Sequence, residues 1–170
     1  MAARVSDVHP SLAAPLTPGA AEPPPARPAE APRAALDLLA QARRGLTEAA
    51  ALDAPHERYA TAHLAALRTA AAVLAARGRP ETSARGRRRI RSVWDVLPEA
   101  APELAEWSAL FASGAGRRAR AEAGIRSAAS RRDADDLLRD AYAFLRLVER
   151  MPVLQVGLPR QPLARYGRAG

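Results

Sequence analysis

The densest group of charged side chains lies in the middle of the sequence. Five arginines fall within seven consecutive positions there: Arg85, Arg87, Arg88, Arg89 and Arg91. Guanidinium groups at this density can contact successive phosphates of a nucleic acid, so the run predicts a phosphate-binding patch. Arginines at the start of a helix also oppose its dipole, which favours an anionic partner. The alternative is a solvated loop and helix start in an arginine-rich chain.

Few other residues offer acid–base or metal-binding chemistry. His63 lies about 40° from Leu67 on a helical wheel, at the edge of an apolar stripe. It is therefore either a half-buried histidine bonded to a neighbouring helix or a catalytic or phosphate-contacting side chain. Asp133, Asp135 and Asp136 could be imagined as a magnesium site, but carboxylates at a helix start are explained by the positive N-terminal dipole. We predict no metal and no cofactor.

The composition narrows the class of protein. All 26 basic residues are arginines, and the 18 acidic residues leave a net charge of +8, which permits a polyanionic partner. Aromatic residues make up only 4% of the chain, too few for an obvious surface on which bases stack. The absence of cysteine fits a reducing cytoplasm. Neither a membrane span nor a secretory leader is expected, because no apolar run is long enough.

Proline and apolar periodicity divide the chain into three parts. Eight of the 15 prolines lie in residues 1–32, which are therefore predicted to form a disordered tail. Apolar residues recur at helical spacing through 33–150, a stretch long enough for a core of ordinary size. Residues 151–170 are expected to be extended. Because no segment alternates with the period of a strand, we predict an all-α protein, an antiparallel helical bundle.

Start and stop signals delimit the helices of the first half. The first helix is predicted over 33–50. The second is capped by Asp53 and runs to about Arg77. A third covers about 87–97, and Pro98 ends or kinks it.

The second half contains two further helical regions. A helix restarts at Pro102, and glycines, Gly114 among them, weaken its end. Residues 117–130 are expected to be loosely helical at best. The last helix spans about 131–150, with Ser130 as its cap.

Three parts of this pattern resemble a small bacterial family of HEPN domains (higher eukaryotes and prokaryotes nucleotide-binding), with a match over about residues 33–150. They are the segment 59–68, the pair Trp94 and Trp107 with the prolines between them, and the segment 134–138. The resemblance implies an antiparallel up-and-down bundle of four to five helices, often a dimer. Within the superfamily, many members are RNases or toxin components, and others bind nucleotides or protein partners.

The catalytic signature of the superfamily is an arginine followed after four to six residues by a histidine. This chain contains it as Arg58-Tyr59-Ala60-Thr61-Ala62-His63. By resemblance, His63 would move a proton from a ribose 2′-OH, and Arg58 would stabilise charge on the phosphate. The first hypothesis is thus an RNA- or nucleotide-binding domain with metal-independent RNase activity. The alternative is a non-catalytic helical module that dimerises or docks onto a protein partner.

Overall fold

The computed structural model of the chain describes residues 30–78 and 91–155. Within these ranges the protein is a bundle of six α-helices without a strand, so the all-α prediction is confirmed. The helices are α1 (Glu30–Ala51), α2 (Pro55–Arg77), α3 (Val93–Ala100), α4 (Ala105–Glu122), α5 (Arg131–Glu149) and α6 (Pro152–Gln155). None of them is both long and apolar enough to cross a membrane. Arg85, Arg87, Arg88, Arg89 and most of both predicted tails lie outside the described residues.

Helix α2 lies at the centre of the bundle and packs against α1, α3, α4 and α5. Small side chains permit this close packing, since the distance between helix axes depends on the residues at the contact. The fully buried alanines of α2 are Ala62, Ala65, Ala66, Ala70 and Ala72. On α1, a Cβ added to Gly45 would lie 3.4 Å from the Cβ of Ala65, in ordinary contact. Because its buried side chains are small, α2 packs closely against several helices at once.

Aromatic side chains fill the space where α3, α4 and α5 meet α2. The stacked or tilted pairs formed by Trp94, Trp107, Phe111 and Phe144 have ring centroids between 5.2 and 6.2 Å apart. Such pairs add roughly 0.5–1.5 kcal/mol each beyond the area that they bury. Trp94 is buried and Trp107 is half-buried, and both pack against the hydrophobic core.

Capping chemistry sets two of the helix starts. Ser92 before α3 and Ser130 before α5 each accept a hydrogen bond from the backbone N–H of the aspartate three residues later, whose carboxylate accepts one in return. The predicted cap at Ser130 is therefore confirmed. The predicted cap at Asp53 is wrong, because α2 begins after Ala54 without a side-chain cap. Pro55 in the first turn supplies a fixed φ instead.

Helix α4 is longer than the sequence indicated. It continues through Gly114 and Gly116 to Glu122, so the first part of the segment 117–130 is regular helix. A glycine inside a helix costs about 1 kcal/mol relative to alanine. Tertiary contact outweighs that cost at Gly114, which is buried against Tyr59 of α2.

Pro98 lies inside α3 rather than at its end, and the helix continues to Ala100. Proline has no N–H to give to the carbonyl four residues earlier, which belongs to Trp94. The hydroxyl of Ser108 donates a hydrogen bond to that carbonyl at 2.5 Å. A side chain from α4 therefore replaces the bond that proline removes.

The segment after α5 also differs from the extended tail that was predicted from residue 151. Residues 152–155 form the single turn of α6, which contacts α1, α2 and α5. Met151 and Leu154 are buried there. Burial of these two side chains explains why the chain turns back onto the bundle at this point.

Candidate functional site

His63 lies on the face of α2 that meets the aromatic cluster, and it is 0% exposed. Its ring centroid is 5.9 Å from that of Trp94 and 6.0 Å from that of Phe111. Nε2 lies 2.9 Å from the carbonyl oxygen of Phe111. Because a carbonyl oxygen only accepts, Nε2 carries the proton and donates this bond. His63 thus joins α2 to α4 from inside the core.

The second ring nitrogen of His63 has no such bond. Among the described residues, Nδ1 is the only buried side-chain nitrogen or oxygen without a hydrogen-bond partner. Burial lowers the pKa of His63 below its usual 6.5, and the bond to Phe111 offsets this only in part. The imidazole is therefore largely neutral at pH 7, with the lone pair of Nδ1 facing the core.

Tyr59 precedes His63 by one turn and packs against the only buried glycine of α4 in the described part of the chain. A Cβ added to Gly114 would lie 2.6 Å from the Tyr59 hydroxyl and 3.4 Å from a ring carbon of His63. Cζ of Arg117 lies 5.6 Å from the centroid of the Tyr59 ring. Burial raises the pKa of Tyr59, and Arg117 lowers it by less, so the phenol stays protonated. A side chain at position 114 would therefore displace the Tyr59 hydroxyl, so this crossing of α2 and α4 favours glycine there.

Arg58 holds the start of α2 to two other parts of the bundle. Nε and Nη2 donate to the carbonyl oxygen of Leu52 at 3.0 and 2.8 Å, and Nη1 donates to Asp135 of α5. Its side chain is only 14% exposed. Residues five apart on a helix point about 140° away from each other. The structure accordingly places Arg58 against α5 and His63 against α4, and does not bring the two together.

Arg91 is the only member of the predicted arginine patch within the described residues. It donates two hydrogen bonds to the carboxylate of Glu99 and one, at 3.2 Å, to the carbonyl oxygen of Asp95. The guanidinium group of Arg91 is therefore hydrogen-bonded to residues of α3.

The three aspartates at the start of α5 are engaged separately. Asp133 binds Arg117, Asp135 binds Arg58, and Asp136 lies next to Arg132 and Arg139. Hydrogen bonds from Ser130, more than the charge of Arg117, lower the pKa of Asp133. Within 30–78 and 91–155, no group of histidines and carboxylates is arranged to hold a metal ion. Asp133 thus caps the helix, and all three aspartates form ion pairs.

Helices α4 and α5 run antiparallel and are joined mainly through their side chains. Trp107 stacks on Phe144 with ring centroids 5.5 Å apart, and ten residues further along α4 Arg117 binds Asp133 with a 2.7 Å Nη1–Oδ1 distance. The two backbones rarely approach each other closely, unlike those of α1 and α2. We name the outer surface along which α4 and α5 lie side by side the α4–α5 groove.

Two leucines and an aspartate on this groove were not singled out from the sequence. Leu110 is 43% exposed and Leu147 is 42% exposed. On a helical wheel of α5, Asp140 lies about 20° from Asp133 and about 40° from Phe144, which both contact α4, so Asp140 lies near the side of α5 that faces α4. Trp107 pairs with Phe144, and Arg117 pairs with Asp133. Counting along α4 and α5 between these two contacts places Asp140 at the level of Leu110. No local signal distinguishes Asp140 from the other carboxylates of the chain, because its position depends on how α5 packs.

Comparison with known proteins agrees with this helical arrangement. The family model described as HEPN_SAV_6107-like HEPN matches residues 49–149, from the last turn of α1 to the end of α5. No curated protein and no solved structure matches the chain. Because the matched range covers more than half of the 170 residues, the chain belongs to the SAV_6107-like HEPN family.

Proposed function

We propose that this chain is a non-catalytic HEPN domain that acts by binding a protein through its helical surface. One observation carries the proposal: His63 is 0% exposed and donates Nε2–H to the carbonyl of Phe111. A general base must come within about 2.6–3.2 Å of the proton that it removes. A ribose hydroxyl cannot approach Nδ1 while the ring is enclosed by Trp94 and Phe111.

The contacts of Arg58 support the same proposal. A catalytic arginine needs N–H groups that are free to stabilise charge on the phosphate. In this structure, Nε and Nη2 are used by Leu52 and Nη1 by Asp135. Removing Arg58 from these partners would expose a helix-end carbonyl and leave a half-buried carboxylate without its cation.

An RNA-cleavage assay tests the proposal. The full-length protein is incubated with bulk RNA in the presence of a chelator, next to the variants His63→Gln and Arg58→Gln, whose helical content is checked by circular dichroism. We expect no cleavage above the buffer blank for any of the three. Cleavage by the wild-type protein that is lost in a folded His63→Gln variant would overturn the proposal.

Charge distribution favours RNA binding as a second candidate function, with or without cleavage. The described residues contain 16 arginines and 15 acidic residues, so the bundle itself is nearly neutral. Most of the net charge of +8 therefore belongs to the rest of the sequence, which includes Arg85, Arg87, Arg88 and Arg89. Phosphate contacts made by these arginines would make RNA binding strongly dependent on salt.

A further inference from the structure

The α4–α5 groove contains a carboxylate that lacks a cation. Asp140 is half-buried and makes no hydrogen bond or ion pair within the described part of the chain. Burial raises the pKa of Asp140, the adjacent Arg139 lowers it by less, and the charge of Asp136 raises it further. Arg139 is itself bonded to Asp136. A partly desolvated carboxylate without a partner is unfavourable, and a cation placed beside it would relieve that cost.

Apolar side chains lie on the same outer side of the groove as Asp140. Leu110 lies opposite it, Leu147 follows two turns later on α5, and Trp107 is half-exposed between them. The stretch from Trp107 to Arg117 is about 15 Å long at 1.5 Å per residue. That length suits about three turns of a bound helix, with its apolar side chains on the leucines and the tryptophan.

The charge of the groove selects the kind of partner. Glu106, one turn before Leu110, is exposed and makes no ion pair among the described residues. Together with Asp140 it makes this face negative although the whole chain carries +8. Phosphates of a nucleic acid would be repelled here, whereas an arginine or lysine would be attracted by both carboxylates and by the face of Trp107.

We propose that the α4–α5 groove binds a basic amphipathic helix of a partner protein. One cationic side chain of that helix pairs with Asp140, and its apolar side chains pack on Trp107, Leu110 and Leu147. In helix-in-groove recognition of this kind, apolar side chains three and four residues apart on the bound helix contact the groove. The inference rests on the proposed function as a protein-binding domain and names the chemistry of the partner.

The test uses a fluorescently labelled synthetic helix of about 15 residues, with leucines at i, i+3 and i+4 spacing and arginines beside them. A matched peptide carries glutamates in place of the arginines. Anisotropy is measured against the full-length wild-type protein and three variants: Asp140→Asn, Leu110→Ser and the control Asp37→Asn. Asp37 is an exposed carboxylate on α1 without an ion pair among the described residues, so its substitution removes the same charge elsewhere.

We expect the arginine peptide to bind and the glutamate peptide not to bind. Asp140→Asn should weaken binding by about tenfold, as should Leu110→Ser, while Asp37→Asn stays within about twofold of the wild type. Equal affinities of Asp140→Asn and Asp37→Asn, or no binding of the arginine peptide at about 1 mM, would overturn the inference.

Sedimentation of the same proteins tests whether a second copy of the chain is the occupant. A self-associated wild type that becomes monomeric on Asp140→Asn would assign the groove to that second copy and also overturn the inference. None of these outcomes depends on RNA cleavage, so the proposed function and the groove can fail independently.

Discussion

The Nε2 atom of His63 lies 2.9 Å from the carbonyl oxygen of Phe111, and this single bond ties the central helix α2 to α4 inside the core. A fully buried hydrogen bond of this kind stabilises the fold by about 1 kcal/mol, but losing one partner costs more, because the other is left buried and unpaired. The bond makes His63, which the family resemblance predicted to be catalytic, part of the packing in this chain.

Folding stability should depend on pH through His63. Its pKa in the folded state is below 6.5 because of burial, so the unfolded chain binds a proton more readily. The stability from the neutral ring is complete above pH 6.5 and is lost as the pH falls through and below that value, by up to about 1.4 kcal/mol per pH unit. Urea unfolding at pH 7.5 and pH 5.0 should show this loss in the wild type. The loss should be smaller in His63→Gln, which keeps a donor for Phe111, and an equal loss in both proteins would contradict the prediction.

Two glycines of α4 provide a matched pair of substitutions. Gly114→Ala should destabilise the protein by roughly 1–2 kcal/mol, because the new Cβ would lie 2.6 Å from the Tyr59 hydroxyl and overpacking outweighs the gain in helix propensity. Gly116→Ala should stabilise it by up to about 1 kcal/mol, since nothing lies within 4 Å of that Cβ. Thermal unfolding measures both changes. Adding Tyr59→Phe should restore most of the loss in Gly114→Ala, and failure of this rescue would mean that the hydroxyl is not the obstacle.

The contacts of Arg58 should be measurable as stability. Arg58→Gln removes two hydrogen bonds to the carbonyl of Leu52 and one to Asp135. Bonding of a charged group to one acceptor contributes about 1.5–3 kcal/mol and the pair with the half-exposed Asp135 adds less, so a loss of about 2–4 kcal/mol is expected. Asp135→Asn should cost less, because its side chain is 46% exposed. A double-mutant cycle with chemical denaturation isolates the interaction between the two residues. A coupling energy of zero would show that the ion pair does not contribute.

RNA binding through the arginine run has a quantitative signature. Each phosphate contact adds about 0.7 to the slope of log K against log salt for a single strand. Replacing Arg85, Arg87, Arg88 and Arg89 by glutamine should therefore reduce the slope by up to about 3. The control replaces four exposed arginines of the bundle that make no ion pair within the described ranges, namely Arg44, Arg120, Arg146 and Arg150. Equal reductions in both variants would indicate attraction by net charge alone.

Several features of the fold could be predicted from the sequence because they depend on residues that are close together in the chain. Ser130 and the aspartate three residues later form a capping box, which is visible in the sequence. The spacing of apolar residues in α5 predicts which face of that helix is buried. Trp94 and Trp107, which carry part of the family resemblance, lie in the aromatic cluster. The predicted HEPN family is confirmed over 49–149.

Other features were decided by contacts between residues far apart in the chain. The helical wheel left His63 at the edge of the buried stripe, and only the packing of Phe111 and Trp94 against it encloses the ring. By sequence alone Gly114 predicts the end of a helix. In the folded protein it lies inside α4, where the Tyr59 hydroxyl leaves little room for a side chain. The sequence by itself therefore determined the all-α class, one cap and the family, but not the ends of every helix. Tertiary structure determined the roles of Arg58, His63 and Asp140, because partners, burial and register arise only when the helices pack together.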